Sequence, residues 1–220
     1  MSFETFDLIV NCSILSALVP LLGLIKFRAL SFELKILGLL VAISFLCDAA
    51  SLYLKPLFNI STNYAGTSYR LAEFILLLAI YYRMLHGRSK VGLFISLGLI
   101  FVLLFFINLL YIQKDAINSY TKVYTSLVFI FFSILYFFQL MKDLPTLHLQ
   151  RLPMFWINVA VLVYFSGNFF LFLLSDYLVK VLHDNLIIYW TFHDLLNILK
   201  NLVFAIAFWQ GIRKPKANSI

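Results

Sequence analysis

Hydrophobic residues occur along the chain in long runs that are interrupted by few polar positions. Each run is close to the length of about 20 residues that a helix needs to cross the hydrocarbon core of a membrane. The runs are continuous, whereas a membrane-spanning β-strand would alternate apolar and polar residues. The pattern predicts an all-α integral membrane protein, a seven-transmembrane-helix bundle with spans at about 6–25, 34–54, 68–85, 91–112, 120–140, 154–174 and 186–209.

The connections between these runs are short, so we expect a single transmembrane domain over residues 1–220. The first run lacks a basic leading segment and a small-residue cleavage site. This favours a retained membrane helix over a signal peptide.

The composition changes the picture by excluding several classes of protein. Hydrophobic residues make up 63% of the 220 residues and charged residues 12%, whereas soluble domains contain about 45–50% apolar and about 25% charged residues. This excludes an ordinary soluble enzyme and a disordered chain. The net charge of +7 is spread along the chain, so we expect no nucleic-acid partner. Cys12 and Cys47 have no metal-binding spacing, and we expect no metal or cofactor.

The basic residues of the loops predict the orientation of the chain. Most of them lie on the side that holds residues 26–35, 83–90, 142–151 and 213–216. Under the positive-inside rule this side faces the cytoplasm, so we expect an external N-terminus and a short basic cytoplasmic tail at residues 210–220. The expected location is a cell membrane crossed several times, namely a bacterial inner membrane. The outer side carries Lys55, Arg70, Lys114, Lys122 and Lys180.

Ionisable side chains inside the predicted spans are costly in a bilayer and therefore indicate function. At a rise of about 1.5 Å per residue, carboxylates of three spans lie roughly 6 Å to the outer side of the midplane. The cytoplasmic halves of the spans contain few such groups. We therefore predict a polar cavity that is open to the outer side and closed toward the cytoplasm. The ionisable residues are Asp48, Glu73, His193, Asp194 and the near-central Lys200, with Arg70 at the outer mouth.

The spacing of the polar residues places them on shared helical faces. Those of the last span occupy one narrow arc, and we expect this arc to face the bundle because lipid does not accept a polar stripe. Arg70 and Glu73 are three residues apart and can pair on one surface. An alternative is that the polar groups only hold neighbouring helices together by hydrogen bonds. The candidate ligand-binding residues are Asp48, Arg70, Glu73, His193, Asp194, Asn197, Lys200 and Asn201.

These features favour a sensor or receptor-type membrane protein over an enzyme. A small molecule, a lipid or a peptide would bind in the polar cavity from the outer side. The segment after Trp209 is too short for a catalytic domain, so we expect signalling through a separate cytoplasmic partner docked on the basic loops. Membrane lipids are the other expected partners.

Two alternatives assign chemistry to residues of the spans. The first is an intramembrane lipid-modifying hydrolase, because Ser44 and Asp48 share a face and His193 lies at a similar depth. The second is a retinal-binding photoreceptor. The chain resembles microbial rhodopsins in having seven spans, an external N-terminus and a lysine, Lys200, midway along the last span. This resemblance implies a Schiff base at Lys200 with Glu73 or Asp48 as counter-ion. In that family an aspartate stands four residues before the lysine, where this chain has Leu196.

Overall fold

The computed structural model describes residues 3–54, 62–85, 91–112, 119–143, 148–177 and 186–213, and these ranges contain helices and no strand. Each predicted hydrophobic run overlaps one long helix or, for the first run, a series of shorter ones. The predicted all-α fold is therefore confirmed. The helices are α1 Phe3–Ser16, α2 Leu18–Leu21, α3 Phe32–Ala49, α4 Thr62–Met84, α5 Val91–Ile107, α6 Ser119–Asp143, α7 Pro153–Tyr177 and α8 Leu186–Ile212. Predicted loop residues Lys55, Lys114 and Lys180 and the tail from residue 214 lie outside the described residues.

The first hydrophobic run does not form one continuous α-helix, although Glu4–Ala29 is long and apolar enough to cross a membrane as one span. Helix α1 ends at Ser16, and α2 is followed by a 3₁₀ helix over Leu22–Ala29. Pro20 lacks the backbone N–H that would continue the α-helical hydrogen bonds. The 3₁₀ helix is itself interrupted at Lys26, whose backbone angles, φ −99° and ψ 37°, are not helical.

Helices α3 and α5 each continue into a π-helical turn at the C-terminal end. These turns cover Ala50–Leu54 and Asn108–Ile112. At its other end α3 is capped by Ser31, whose hydroxyl oxygen accepts a hydrogen bond from the Leu34 amide at 3.5 Å. Single π-helical turns are frequent at functional sites, and the first of them follows directly on the segment of α3 that contains Asp48.

The helices pack as a closed ring in which each long helix contacts the next one along the chain. The ring closes where α1 contacts both α8 and α3, and α3–α8 and α4–α6 contacts cross its interior. Asn197 on α8 bonds to Ser13 on α1, and Asn201 bonds to Ser16. Because residue numbers rise together in these two pairs, α1 and α8 run parallel. At one end of the ring, Glu33 at the start of α3 meets Arg83 near the end of α4 at 2.6 Å, as expected for antiparallel neighbours.

Stacked aromatic side chains fill the interior between α4 and α7. The rings of Phe74 and Phe101 are stacked with centroids 3.8 Å apart, and those of Phe94 and Phe132 are stacked at 4.7 Å. All four side chains are buried. Stacked and tilted rings add to the energy of burial alone, so this cluster fixes α4, α5 and α6 against one another.

The outer surface of the ring is apolar as well. Large hydrophobic side chains on five helices are between 62 and 65% exposed. A soluble protein seldom exposes an apolar surface of this extent, and a lipid environment accounts for it. The side chains are Leu8, Leu46, Leu103, Phe138 and Phe170.

Six helical segments of the described chain are long and apolar enough to cross a membrane, which indicates a multi-pass membrane protein. The seventh long helix, α4, has 23 residues, or about 35 Å, but carries Arg70, Glu73 and Arg83. Because of these polar residues α4 is not among the six segments that are apolar enough to cross a membrane. The count of seven spans therefore stays a prediction. The six segments are Glu4–Ala29, Phe32–Leu52, Val91–Leu110, Tyr120–Asp143, Pro153–Leu171 and Ile187–Ile212.

Candidate ligand-binding cavity

A polar cavity of about 310 Å³ lies inside the ring, toward the end opposite the Glu33–Arg83 pair. We call it the central cavity. Its wall combines hydroxyl, carboxylate, imidazole, amide and ammonium groups from α1, α3, α4, α7 and α8, together with the π-helical turn after α3. The lining residues are Val10, Ser13, Ile14, Ser44, Asp48, Ser51, Leu52, Tyr69, Tyr164, His193, Asp194, Asn197 and Lys200.

A second cavity of about 150 Å³, here called the side cavity, adjoins the central one toward α4 and α6. The two cavities share Asp48, Tyr69, Tyr164 and His193. The shared side chains form the boundary between the cavities, so one ligand can contact both. The remaining lining residues of the side cavity are Gly66, Arg70, Glu73, Lys122, Thr125 and Phe165.

A void of about 10 Å³ lies deeper in the ring and is lined in part by Glu73 and Lys200. This volume is close to that of one water molecule. Apolar side chains, among them Leu77, Val161 and Phe204, form the rest of its wall. The space inside the described ring therefore narrows from the central cavity toward the Glu33–Arg83 end.

Helix α3 presents Ser44 and Asp48 one turn apart on the face that looks into the ring. The Ser44 hydroxyl donates a hydrogen bond to Asp48 Oδ2 at 3.3 Å. Ser51 follows on the adjoining π-helical turn and lines the same cavity. The bond from Ser44 holds the Asp48 carboxylate against its own helix and orients it toward the cavity.

Helix α4 carries the polar side chains of the side cavity. The Tyr69 hydroxyl donates to Glu73 Oε1 at 3.2 Å, and Arg70 Nε donates to the Gly66 carbonyl at 3.1 Å. Both bonds join residues four apart on one helical face. The predicted neighbours Arg70 and Glu73 thus lie side by side at one cavity, and each is also held by a bond within α4. Glu73 is only 8% exposed.

Helix α8 supplies the largest share of polar groups to the central cavity. His193 Nδ1 lies 2.9 Å from Asn168 Oδ1 on α7, and the His193 ring packs edge-on against Trp190. Lys200 directly precedes Asn201 at the end of the polar stretch, and its Nζ lies 4.2 Å from the centroid of the Tyr164 ring. This cation–π contact holds the ammonium group, on a side chain that is 8% exposed, against the cavity wall.

The two asparagines among the candidate residues attach α8 to α1. Asn197 Nδ2 donates to Ser13 Oγ at 2.9 Å, and Asn201 Nδ2 donates to Ser16 Oγ at 2.8 Å. Asn197 also lines the central cavity, whereas Asn201 lines the small void below it. Hydrogen bonds of this kind join helices in membranes, so Asn201 is a helix-packing residue.

Lys122 corrects the expectation drawn from the loops. The charge pattern groups it with the residues of the outer loops, but it lies four residues into α6 and lines the side cavity. Its Nζ lies 5.3 Å from the centroid of the Trp190 ring. The signal was available, because Lys122 falls inside the predicted span at 120–140.

Several other lining residues were not recognised from the sequence. Tyr69 lies near the outer end of the third predicted span, where aromatic residues are common in membrane proteins. Ser13 and Tyr164 carried no signal, because a single serine or tyrosine in an apolar run is common and its orientation depends on neighbouring helices. Ser13 lies on α1 and Tyr164 on α7, and the packing of these two helices against α8 brings both residues to the cavity.

The half of the ring away from the cavity contains a buried group of uncharged polar side chains. There the Tyr81 hydroxyl lies 2.7 Å from Ser133 Oγ and donates to Asn158 Oδ1 at 2.7 Å. The Asn158 amide in turn donates to the Ser133 carbonyl at 3.1 Å. All three side chains are fully buried. They connect α4, α6 and α7 and contain no ionisable carboxylate or amine.

The central and side cavities are lined by ionisable side chains of both signs. Asp48, Glu73 and Asp194 supply carboxylates, and Arg70, Lys122 and Lys200 supply cations. Charged groups of both signs form short, strong hydrogen bonds with polar ligands. Among the described residues, no group of three or more His, Cys, Asp and Glu side chains could hold a metal ion.

Comparison of the chain with protein-family models, with curated proteins and with solved structures finds no significant match. The helical ring and its apolar outer surface indicate the class of protein, a multi-pass membrane protein. The candidate site is defined by the central and side cavities.

Proposed function

We propose that the chain is a seven-helix membrane receptor or sensor that binds a small ligand in the central cavity from the outer side. A separate cytoplasmic partner would receive the signal. The observation that carries the proposal is that charged groups of both signs line cavities inside a ring whose outer surface is apolar. Placing a charged group inside a bilayer costs free energy, and the presence of such groups there favours a functional role.

Helix packing explains only part of this polar set. Asn201, Tyr81 and Asn158 bond directly to neighbouring helices, as groups that hold helices together should. Asp48 and Lys200 instead border a space of about 310 Å³. A direct helix–helix contact needs no such space, whereas small-molecule sites have volumes of about 300–1,000 Å³.

The hydrogen bonds of Ser44, Asp48 and His193 differ from those of a hydrolytic triad. In a triad the histidine accepts the serine proton and is oriented by the carboxylate. Here the Ser44 hydroxyl donates directly to Asp48, and His193 Nδ1 faces Asn168. The polar wall is also unfavourable for the polyene of a retinal. Binding of a polar ligand is the use that fits these groups best.

Two features support the proposed topology of seven spans with an external N-terminus. Helix α4 fills the place in the ring between α3 and α5, so it would cross the membrane with them. At the end away from the cavity, cationic groups of Lys35, Arg83 and Arg213 lie 4.7–5.0 Å from aromatic ring centroids. Basic and aromatic side chains are typical of a membrane boundary, and their basic charge favours the cytoplasmic side.

The proposal is tested by thermal unfolding of the purified protein in detergent with a library of small amines, carboxylates, amino acids and sugars. At least one compound should raise the unfolding temperature of the native chain. Asp48→Asn should weaken the binding of that compound by about tenfold or more, because a charge-assisted hydrogen bond is lost. Asp143→Asn, a change at an exposed carboxylate of α6, is the matched control and should bind as the native chain does.

Each contrary outcome assigns a different function. Uptake of the stabilising compound into proteoliposomes would replace the receptor by a transporter. Lipid turnover that Ser44→Ala abolishes would support the hydrolase. A visible absorption band with all-trans-retinal that Lys200→Ala removes would support the photoreceptor. If no compound stabilises the native chain, ligand binding is rejected and the charges serve helix packing.

A further inference from the structure

The charges that line the two cavities are balanced. Three carboxylate side chains and three basic side chains line them, so groups of the two signs are equal in number. An uncompensated charge in a low-dielectric interior is strongly unfavourable. A ligand with a net charge would upset this balance, whereas a ligand with equal positive and negative charge would preserve it.

The two signs are unevenly distributed between the cavities, although each cavity contains both. Asp194 lines the central cavity and not the side cavity, whereas Arg70 and Lys122 line the side cavity and not the central one. Lys200 is the cation of the central cavity, and its ammonium group lies on the Tyr164 ring. The central cavity therefore contains two carboxylates and one cation, whereas the side cavity contains two cations from two different helices together with Asp48 and Glu73.

Glu73 lies in the side cavity with these cations, and the Tyr69 hydroxyl donates to one of its oxygens. This bond holds the carboxylate toward the Tyr69 side of α4. Asp48 borders both cavities, and its Oδ2 accepts from Ser44. Asp48 and Tyr69, two side chains of the boundary between the cavities, are thus held by hydrogen bonds within their own helices.

We propose that the ligand is a small zwitterion of the amino-acid or betaine type. Its ammonium group would lie in the central cavity near Asp48 and Asp194. Its carboxylate would lie in the side cavity near Arg70 and Lys122. This assignment rests on the proposed function, because it names the class of ligand that the same site binds.

The test compares ω-amino acids from glycine to 6-aminohexanoate with analogues of equal chain length that carry one charge or none. For 4-aminobutyrate the analogues are butyrate, butylammonium and butyramide. Thermal unfolding of the native chain is measured with each compound in detergent. At least one amino acid should raise the unfolding temperature by a few degrees, as expected for a ligand well above its dissociation constant. Its three analogues should leave that temperature unchanged at the same concentration.

Variants of one charge then separate the two ends of the site. Lys122→Met should weaken binding of the zwitterion by about tenfold or more. The site should then bind the alkylammonium analogue more tightly than the zwitterion. Asp194→Asn should weaken binding of the zwitterion by a similar factor. The site should then bind the carboxylate analogue more tightly than the zwitterion. Lys142→Met and Asp143→Asn change the same residue types at exposed positions of α6, and they should retain the native preference.

The outcomes separate this inference from the proposed function. If butyrate, butylammonium or butyramide stabilises the native chain and no zwitterion does, binding stands and the zwitterion assignment is wrong. If the zwitterion binds but Lys122→Met and Asp194→Asn keep the native preference, the orientation in the cavities is wrong. If no compound of any class stabilises the native chain, the proposed function falls together with the inference.

Discussion

The Tyr81 hydroxyl illustrates how one polar atom can fix three helices in an apolar surrounding. It contacts Ser133 on α6 and Asn158 on α7 at 2.7 Å each. No water reaches these groups, since the side chains are fully buried. A buried polar group that loses its partner retains the full cost of its desolvation. The hydroxyl therefore contributes more to stability than one at the surface.

Tyr81→Phe should lower the free energy of unfolding by about 1–3 kcal/mol, because the amide of Asn158 and the hydroxyl of Ser133 lose a partner. The measurement is equilibrium unfolding in mixed detergent micelles by titration with sodium dodecyl sulfate. Tyr82→Phe is the matched control at the next position, where the side chain is 37% exposed. Its effect should stay within about 0.5 kcal/mol. Equal effects of the two changes would contradict the role given to this hydroxyl.

The residue scale also shows what local sequence can tell about a site. Asp48, Glu73 and Lys200 stand out because an ionisable group in an apolar run is unusual in itself. Lys122 has the same property, but its place near the end of a run led to its assignment as a loop residue. Tyr164 has no such property. Its part in the site comes from its contact with Lys200 on another helix.

At the scale of elements, the irregular segment after α1 is held by close packing on α8. The 3₁₀ helix brings Gly23 against Phe208, where an added Cβ would lie 2.7 Å from the Cβ of Phe208. That atom adjoins the backbone of α8 and has little freedom to move. The absence of a side chain at Gly23 therefore allows the two segments to approach each other.

Gly23→Ala should destabilise the protein by about 1–3 kcal/mol through overpacking. The unfolding temperature in detergent, together with the sodium dodecyl sulfate titration, measures this loss. Gly92→Ala in α5 provides the comparison, because no heavy atom lies within 4 Å of the added Cβ. There we expect no loss, or a gain of up to about 1 kcal/mol from helix propensity. A stable Gly23→Ala variant would show that the two segments are not in tight contact.

At the scale of the whole molecule, the number of spans determines where the two ends of the chain lie. Seven spans place the N-terminus and the C-terminus on opposite sides, whereas six place them on the same side. The difference depends on α4, whose polar residues Arg70 and Glu73 lie at the side cavity. In the closed ring these side chains face protein and not lipid, which makes a spanning α4 compatible with its composition.

We expect an N-terminal epitope to be accessible to antibody on spheroplasts, from which the outer membrane barrier has been removed. A C-terminal green fluorescent protein should fluoresce, and a C-terminal alkaline phosphatase should be inactive. These fusions report the side of the membrane on which each end lies. Two ends on one side would show that α4 does not cross. Ends on opposite sides in the reverse order would show that the positive-inside assignment is wrong.

The sequence by itself determined the helical class, the approximate limits of the long helices and the ionisable residues within them. These properties depend on the local run of apolar side chains and on the length that a helix needs to span a bilayer. The end of α1 at Ser16 could also be expected, because Pro20, four residues later, has no N–H to donate to the Ser16 carbonyl. The 3₁₀ path that follows it, and its packing on Phe208, depend on contact with α8.

Only the tertiary structure decided which polar residues share a space. The closed ring brings Ser13, Tyr164 and Lys122 to cavities that also contain residues of α3, α4 and α8. It also turns Asn201 toward Ser16, away from the central cavity. The physical reason is that a run of apolar residues specifies a helix but leaves its rotation and its neighbours open. These are set by the packing of side chains far apart in the chain.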